Sequence, residues 1–147
     1  MFYRFIEMYG MRELNWMDNK ENDLCNYRLN SALETMETAN WCVENRHYKD
    51  AINRCYYAAF YAAKAILALE SVDFKRHKDV VAYFNRNYIA TDKLPREVGK
   101  KLANLQRKRE NSDYDDFFVA SLEETEKQLE AAKYIIEQIQ KYLENNN

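Results

Sequence analysis

The sequence predicts an all-α protein, an antiparallel helical bundle of about five helices in a single domain. Three observations predict it. The 147 residues include only two glycines and one proline, far below the usual roughly 7% and 5%, and strands need turns that such a chain cannot supply. Apolar residues return every three or four positions over long runs. Hydrophobic residues make up 47% and charged residues 31%, enough for both a core and a solvated surface.

The helices follow in order. From Glu21, the residues Leu29, Ala32, Leu33, Met36, Ala39 and Val43 share one face. From Asp50, a second run carries Ala51, Cys55, Ala58, Ala62, Ala65, Ile66 and Leu69, and its alanines allow a neighbouring helix to approach closely. The link Glu44 to Lys49 holds no Gly or Pro, and the apolar stripe keeps its phase across it. A break is expected there because one helix of roughly 50 residues would dwarf the usual length of about 11–12. A third helix carries Val80, Val81, Phe84 and Tyr88.

Pro95 marks the first turn of a fourth helix, where its missing N–H costs nothing. That helix sets Val98, Leu102, Leu105 and Arg109 on one face. Gly99 sits inside it at a cost of about 1 kcal/mol relative to alanine, which implies close packing of another backbone. Asn111 to Asp116 reads as a break. Ser121 with Glu124 then reads as a capping box, opening a fifth helix with Leu122, Leu129, Ala132, Ile136, Ile139 and Leu143. The bundle thus spans residues 21–144, with a frayed tail at 145–147. Residues 1–20 form an N-terminal extension, read as a short extra helix or as sequence upstream of an ancestral start.

Several classes are excluded. No stretch approaches the roughly 18 apolar residues of a membrane span, and the N-terminus lacks the basic region and apolar run of a signal peptide. A cytoplasmic protein with no membrane partner is expected. Cys25, Cys42 and Cys55 are odd in number and lack CxxC spacing, so they read as small buried residues in a reducing compartment, not as zinc ligands or a disulfide framework. Glycine-rich phosphate loops, HExxH and GxSxG are absent. No metal and no cofactor is expected.

The formal charge of −2 hides a segregation. Residues 1–74 are net −3, residues 75–109 net +8 and residues 110–147 net −7. The basic block either pairs with the acidic last helix or receives a nucleic acid or acidic protein. For the second case the phosphate-binding candidates are Arg76, Lys78, Lys100, Lys101, Arg107 and Lys108.

Three further features invite a role. Arg109 lies on an apolar stripe, where a guanidinium is costly unless paired; it is either tied to Asp113 or Asp115 or kept for function. Arg54, Tyr57, Tyr61 and Lys64 recur at three and four residues and share a helix face, suited to a cleft wall, to base stacking or to a dimer contact. His77 lies between Arg76 and Lys78, whose charges favour its neutral form. His47 reads as a loop residue.

The block Tyr48-Lys49-Asp50-Ala51-Ile52-Asn53-Arg54-Cys55-Tyr56-Tyr57-Ala58-Ala59-Phe60-Tyr61-Ala62-Ala63-Lys64-Ala65 is followed by Phe74-Lys75-Arg76-His77-Lys78 and Ala82-Tyr83-Phe84-Asn85. Arg107-Lys108-Arg109-Glu110-Asn111-Ser112-Asp113-Tyr114-Asp115-Asp116 comes last. In this order, from about Asp23 to Leu143, the chain resembles the prokaryotic HEPN family of small helical domains. The resemblance implies an antiparallel bundle that forms homodimers. It also implies a metal-independent ribonuclease acting as the toxin of a toxin–antitoxin or defence pair, with a minimal nucleotidyltransferase as antitoxin. The family's motif is an arginine followed four to six residues later by a histidine, and the sites of two protomers meet at the dimer interface.

Arg109 matches the arginine, and Tyr114 stands at the histidine position. The catalytic set implied is therefore Arg109, Tyr114 and Asp113. Tyrosine titrates near about pH 10, histidine near about 6.5, so Tyr114 is the weaker base. Proton transfer then falls to Asp113, Asp115 or His77, or Arg109 acts alone. Tyr114 is also the nearest substitute for a tyrosine that a nucleotidyltransferase partner modifies in some members. The alternative to a nuclease is a non-catalytic module that dimerises and binds the nucleotidyltransferase partner or a nucleotide.

Overall fold

The computed structural model describes residues 20–146, and the proposed N-terminal extension lies almost wholly outside them, as does Asn147. Five helices follow one another: α1 (Lys20–Glu44), α2 (Tyr48–Leu69), α3 (His77–Phe84), α4 (Arg96–Tyr114) and α5 (Leu122–Asn145). A π-helical turn, Asn85–Ile89, extends α3. The all-α bundle expected from the sequence is the fold observed.

The apolar stripe of α1 turns inward as expected, with Leu29, Ala32, Leu33, Met36 and Ala39 at most 1% exposed. At its end Cys42 takes the inward place and Val43 is only half-buried. The break that the sequence left implicit falls at Asn45–His47. Arg46 adopts φ 65°, the left-handed turn usually given to glycine. The turn is held by His47 N–H donating to the Cys42 carbonyl at 2.8 Å and by the His47 ring stacked on Trp41 at 5.7 Å.

Helix α2 runs through the centre of the bundle and packs against every other helix. Its alanines 58, 59, 62, 63 and 65 are fully buried, and their small side chains let these backbones approach. Cys25, Cys42 and Cys55 are buried free thiols. Burial pushes Cys25 and Cys55 up to about 12, so both stay protonated and unreactive.

Gly99 has a different explanation from the expected backbone contact. A Cβ there would meet the Ile89 side chain at 3.0 Å; the neighbour is a side chain of the π-turn. Pro95 is the residue before α4, extended at ψ 144°, and not its first helical residue.

The expected break at Asn111 to Asp116 begins later than the sequence indicated. Helix α4 runs through Tyr114 because Ser112, 3% exposed, continues the buried stripe of Val98, Leu102 and Leu105. A serine in a core position gives no apolar signal, so the periodicity looked finished too early.

Ser121 caps α5, its Oγ accepting from the Glu124 N–H at 3.1 Å. The reciprocal half of the box is absent: the Glu124 carboxylate pairs with Lys108 at 3.0 Å. Ser121→Ala should therefore lower stability by about 1 kcal/mol, measured as a shift of the thermal midpoint. Leu122, placed on the core stripe from sequence, is 46% exposed, and Thr125, three residues on, takes the buried position in the first turn of α5. No helix among the described residues is long and apolar enough to cross a membrane.

Candidate functional site

One face of α2 forms an aromatic floor. Tyr56 is fully buried, Phe60 is 2% exposed, and Tyr57 and Tyr61 are half-buried beside them. The Tyr57 and Tyr61 rings lie 6.1 Å apart. Arg109 reaches this floor from α4. Its guanidinium carbon stands 4.8 Å from the Tyr56 ring centre and 5.7 Å from that of Tyr57, within cation–π range.

The Arg109 side chain is only 15% exposed. Its Nη1 donates to the Asp113 carboxylate at 3.4 Å, a long hydrogen bond. Its Nε is buried without a hydrogen-bond partner. A guanidinium carries five donors, so this cation is oriented but undersatisfied. The Tyr56 hydroxyl is also buried without a partner; burial pushes it up to about 12, against the opposing effect of Arg109.

His77, the first residue of α3, joins the same floor. Its ring centre lies 4.3 Å from Phe60 and 5.7 Å from Tyr57, yet the residue stays exposed. Partial burial, then the charges of Arg109 and Lys64, hold the imidazole below its ordinary value of 6.5. It is therefore neutral at pH 7 and able to accept a proton.

A short network fixes the segment leading into α3. Arg28 donates to the Lys64 carbonyl at 3.0 Å and pairs with Asp73 at 3.3 Å. Lys64 pairs with Asp73 at 3.6 Å, and the Phe74 N–H donates to Asp73 at 2.9 Å. Burial alone would raise Asp73; the Phe74 N–H, Lys64 and Arg28 outweigh it and hold the carboxyl low. Helices α1 and α2 are thus tied to the loop that delivers His77.

Of the four residues that share a face on α2, Tyr57 meets Arg109 directly, and the other three line the same aromatic floor. The Arg54 guanidinium carbon lies 5.3 Å from the Tyr57 ring centre, and Lys64 Nζ 6.0 Å from that of Phe60. Beyond Tyr61 and Lys64 a groove of about 390 Å³ continues between Tyr27, Arg28 and Glu34.

Other sequence candidates lie elsewhere. Tyr114 is 80% exposed. Five residues along a helix is a rotation of about 140° from Arg109, whereas Asp113, four along, falls back on its face. The six basic candidates do not converge. Lys101 stacks over Tyr134 of α5 at 5.3 Å, and Lys108 pairs with Glu124 of α5. Lys100 pairs with Glu97 at 3.7 Å and Arg107 donates to Asn104 at 3.2 Å, both along α4. Arg76 pairs with Asp79 at 2.8 Å, and Lys78 is exposed. Helix pairing and solvation each take part of the basic block.

Sequence reasoning picked out Tyr57 and Tyr61 of this floor but not Tyr56 and Phe60, whose spacing of four was the available signal. His77 was visible only as one proton-transfer candidate among three.

The sequence model of the HEPN domain matches residues 25–142. The chain belongs to the HEPN family. This HEPN chain is 28% identical to a UPF0332 protein of Thermotoga maritima over 86% of its own length and 96% of the relative. It is 27% identical to a Methanocaldococcus jannaschii protein named "Putative toxin", over 81% of each chain. A second protein of that organism with the same name is 29% identical over 76% of this chain and 83% of the relative. The HEPN match spans α1 from Cys25 through most of α5, so the floor, Arg109 and His77 all lie within it. Among the described residues, no three His, Cys, Asp or Glu side chains gather closely enough to hold a metal ion.

Proposed function

We propose that this HEPN protein is a toxin-like partner in a toxin–antitoxin or defence pair, binding RNA at the Arg109 floor and cleaving it without a metal. The observation that carries the reading is Arg109 itself: a guanidinium held on two tyrosine rings with its Nε unpartnered. Such a group lowers its own energy by accepting a phosphodiester, and it offsets charge that develops on a phosphorane. Arg54 and Lys64 extend the positive field along the strand, and Tyr57 and Tyr61 offer faces on which bases stack. The relatives that carry the toxin name support the biological setting. The antitoxin would be nucleotidyltransferase-like, and two copies of the chain would bring two such clusters together.

The test is purified protein on a structured RNA, with Arg109→Ala beside it. The expected result is cleavage in the presence of chelator by the wild type, reduced at least about 100-fold in the variant. RNA affinity should fall as salt rises. Cleavage by both proteins alike would overturn the assignment of Arg109.

One observation favours a second reading. Tyr114, at the family's histidine position, is 80% exposed and turned away from Arg109. A non-catalytic module that binds RNA, a nucleotide or its nucleotidyltransferase partner needs no base. Binding that depends on Arg109 with no cleavage by the wild type would select this reading.

A further inference from the structure

We propose that His77, from the start of α3, is the group that removes the 2′-hydroxyl proton at this site, in place of a histidine following Arg109. The inference rests on the cleavage reading above. Two placements carry it. The Arg109 guanidinium carbon and the His77 ring centre each lie 5.7 Å from the centre of the same ring, that of the half-buried Tyr57. A phosphodiester lying over Tyr57 would meet the guanidinium through its non-bridging oxygens and the imidazole through the adjoining ribose. Tyr114 offers no such convergence, and Asp113 is already engaged with Arg109.

The chemistry balances without a metal or redox step. A ring nitrogen of His77 takes the 2′-hydroxyl proton as the 2′-oxygen bonds to phosphorus. The bond from phosphorus to the 5′-oxygen breaks, and that oxygen takes a proton from water. The imidazolium returns its proton to solvent. The products are a 2′,3′-cyclic phosphate and a 5′-hydroxyl.

The surroundings suit a base. Lys64 of α2 and Arg109 of α4 face the imidazole. On its own element, Arg76 is bound to Asp79 and Lys78 points to solvent. Those two cations each carry a carboxylate partner, Asp73 on Lys64 and Asp113 on Arg109, yet it is their positive charges that act on the imidazole. The cations therefore dominate, and the neutral imidazole is favoured.

The experiment uses the full chain, a 5′-labelled RNA hairpin, and the variants His77→Gln, Tyr114→Phe and Arg109→Ala, each checked for helical content. His77 is exposed, so its variant is expected to fold. His77→Gln should bind the hairpin within about twofold of wild type yet cleave it roughly 100-fold more slowly or less. Wild-type cleavage should rise with pH along a limb lying below pH 6.5 and then level off, and His77→Gln should lose that limb. Tyr114→Phe should cleave like wild type. Wild-type rates from His77→Gln with the limb intact would overturn the role of His77 while leaving the nuclease reading standing. Loss of cleavage in Tyr114→Phe would move the proton transfer to Tyr114. Arg109-dependent binding with no wild-type cleavage would overturn both this inference and the nuclease reading, in favour of the binding module.

Discussion

Arg109→Met should leave the bundle as stable as the wild type, or about 1 kcal/mol more stable, while removing RNA binding and cleavage at the Arg109 floor. The reasoning compares what each side chain leaves behind. Arginine places a cation over Tyr56 with one long ion pair and an unpartnered Nε. Methionine fills similar volume, packs well against aromatic rings and releases Asp113, whose side chain is 36% exposed and readily solvated. A purely structural arginine would give the opposite pattern, with stability falling. Thermal denaturation and a hairpin-binding isotherm on the same preparation read both effects. Arg109→Lys sharpens the comparison: it keeps the charge but loses the planar, multiply donating group, so binding should recover only in part.

Phe84→Ala should produce the largest loss of stability, about 3–5 kcal/mol. Phe84 is fully buried and stacks on Tyr88 at 5.9 Å. Helix α3 has eight residues, and Val80 and Phe84 are its buried anchors. Against a total of about 5–15 kcal/mol for a domain, the thermal midpoint should fall by roughly 10 °C or more. Phe84→Leu should cost much less, because it retains most of the buried area. Because α3 begins with His77, local loosening should also slow cleavage beyond the unfolded fraction, which Phe84→Leu would not.

The helices were legible because burial imposes a period that apolar residues record directly. Leu29 through Ala39, the alanines of α2 and the stripe Val98–Leu102–Leu105 all turn inward as their spacing demands. Ends were less legible. The first turn uses Arg46 in a left-handed conformation, where nothing in the composition announces one. The end of α4 was misplaced because Ser112 occupies a core position without being apolar.

That last displacement matters for the site. With a break near Asn111, Tyr114 would be free to fold back toward Arg109. With α4 continuing to Tyr114, helical geometry gives Asp113 to Arg109 and turns Tyr114 outward. The basic block suffers from the same limitation: charge counted along the chain says nothing of the direction in which each side chain leaves its helix.

By itself the sequence determined the all-α class, the inward faces of its helices and the position of a guanidinium on an apolar stripe, because these depend on local period and composition. Only the tertiary structure decided which side chains meet that guanidinium. Tyr56 and Tyr57 come from α2 and His77 from the start of α3, and they share one surface because packing, which no single helix specifies, sets those helices against each other.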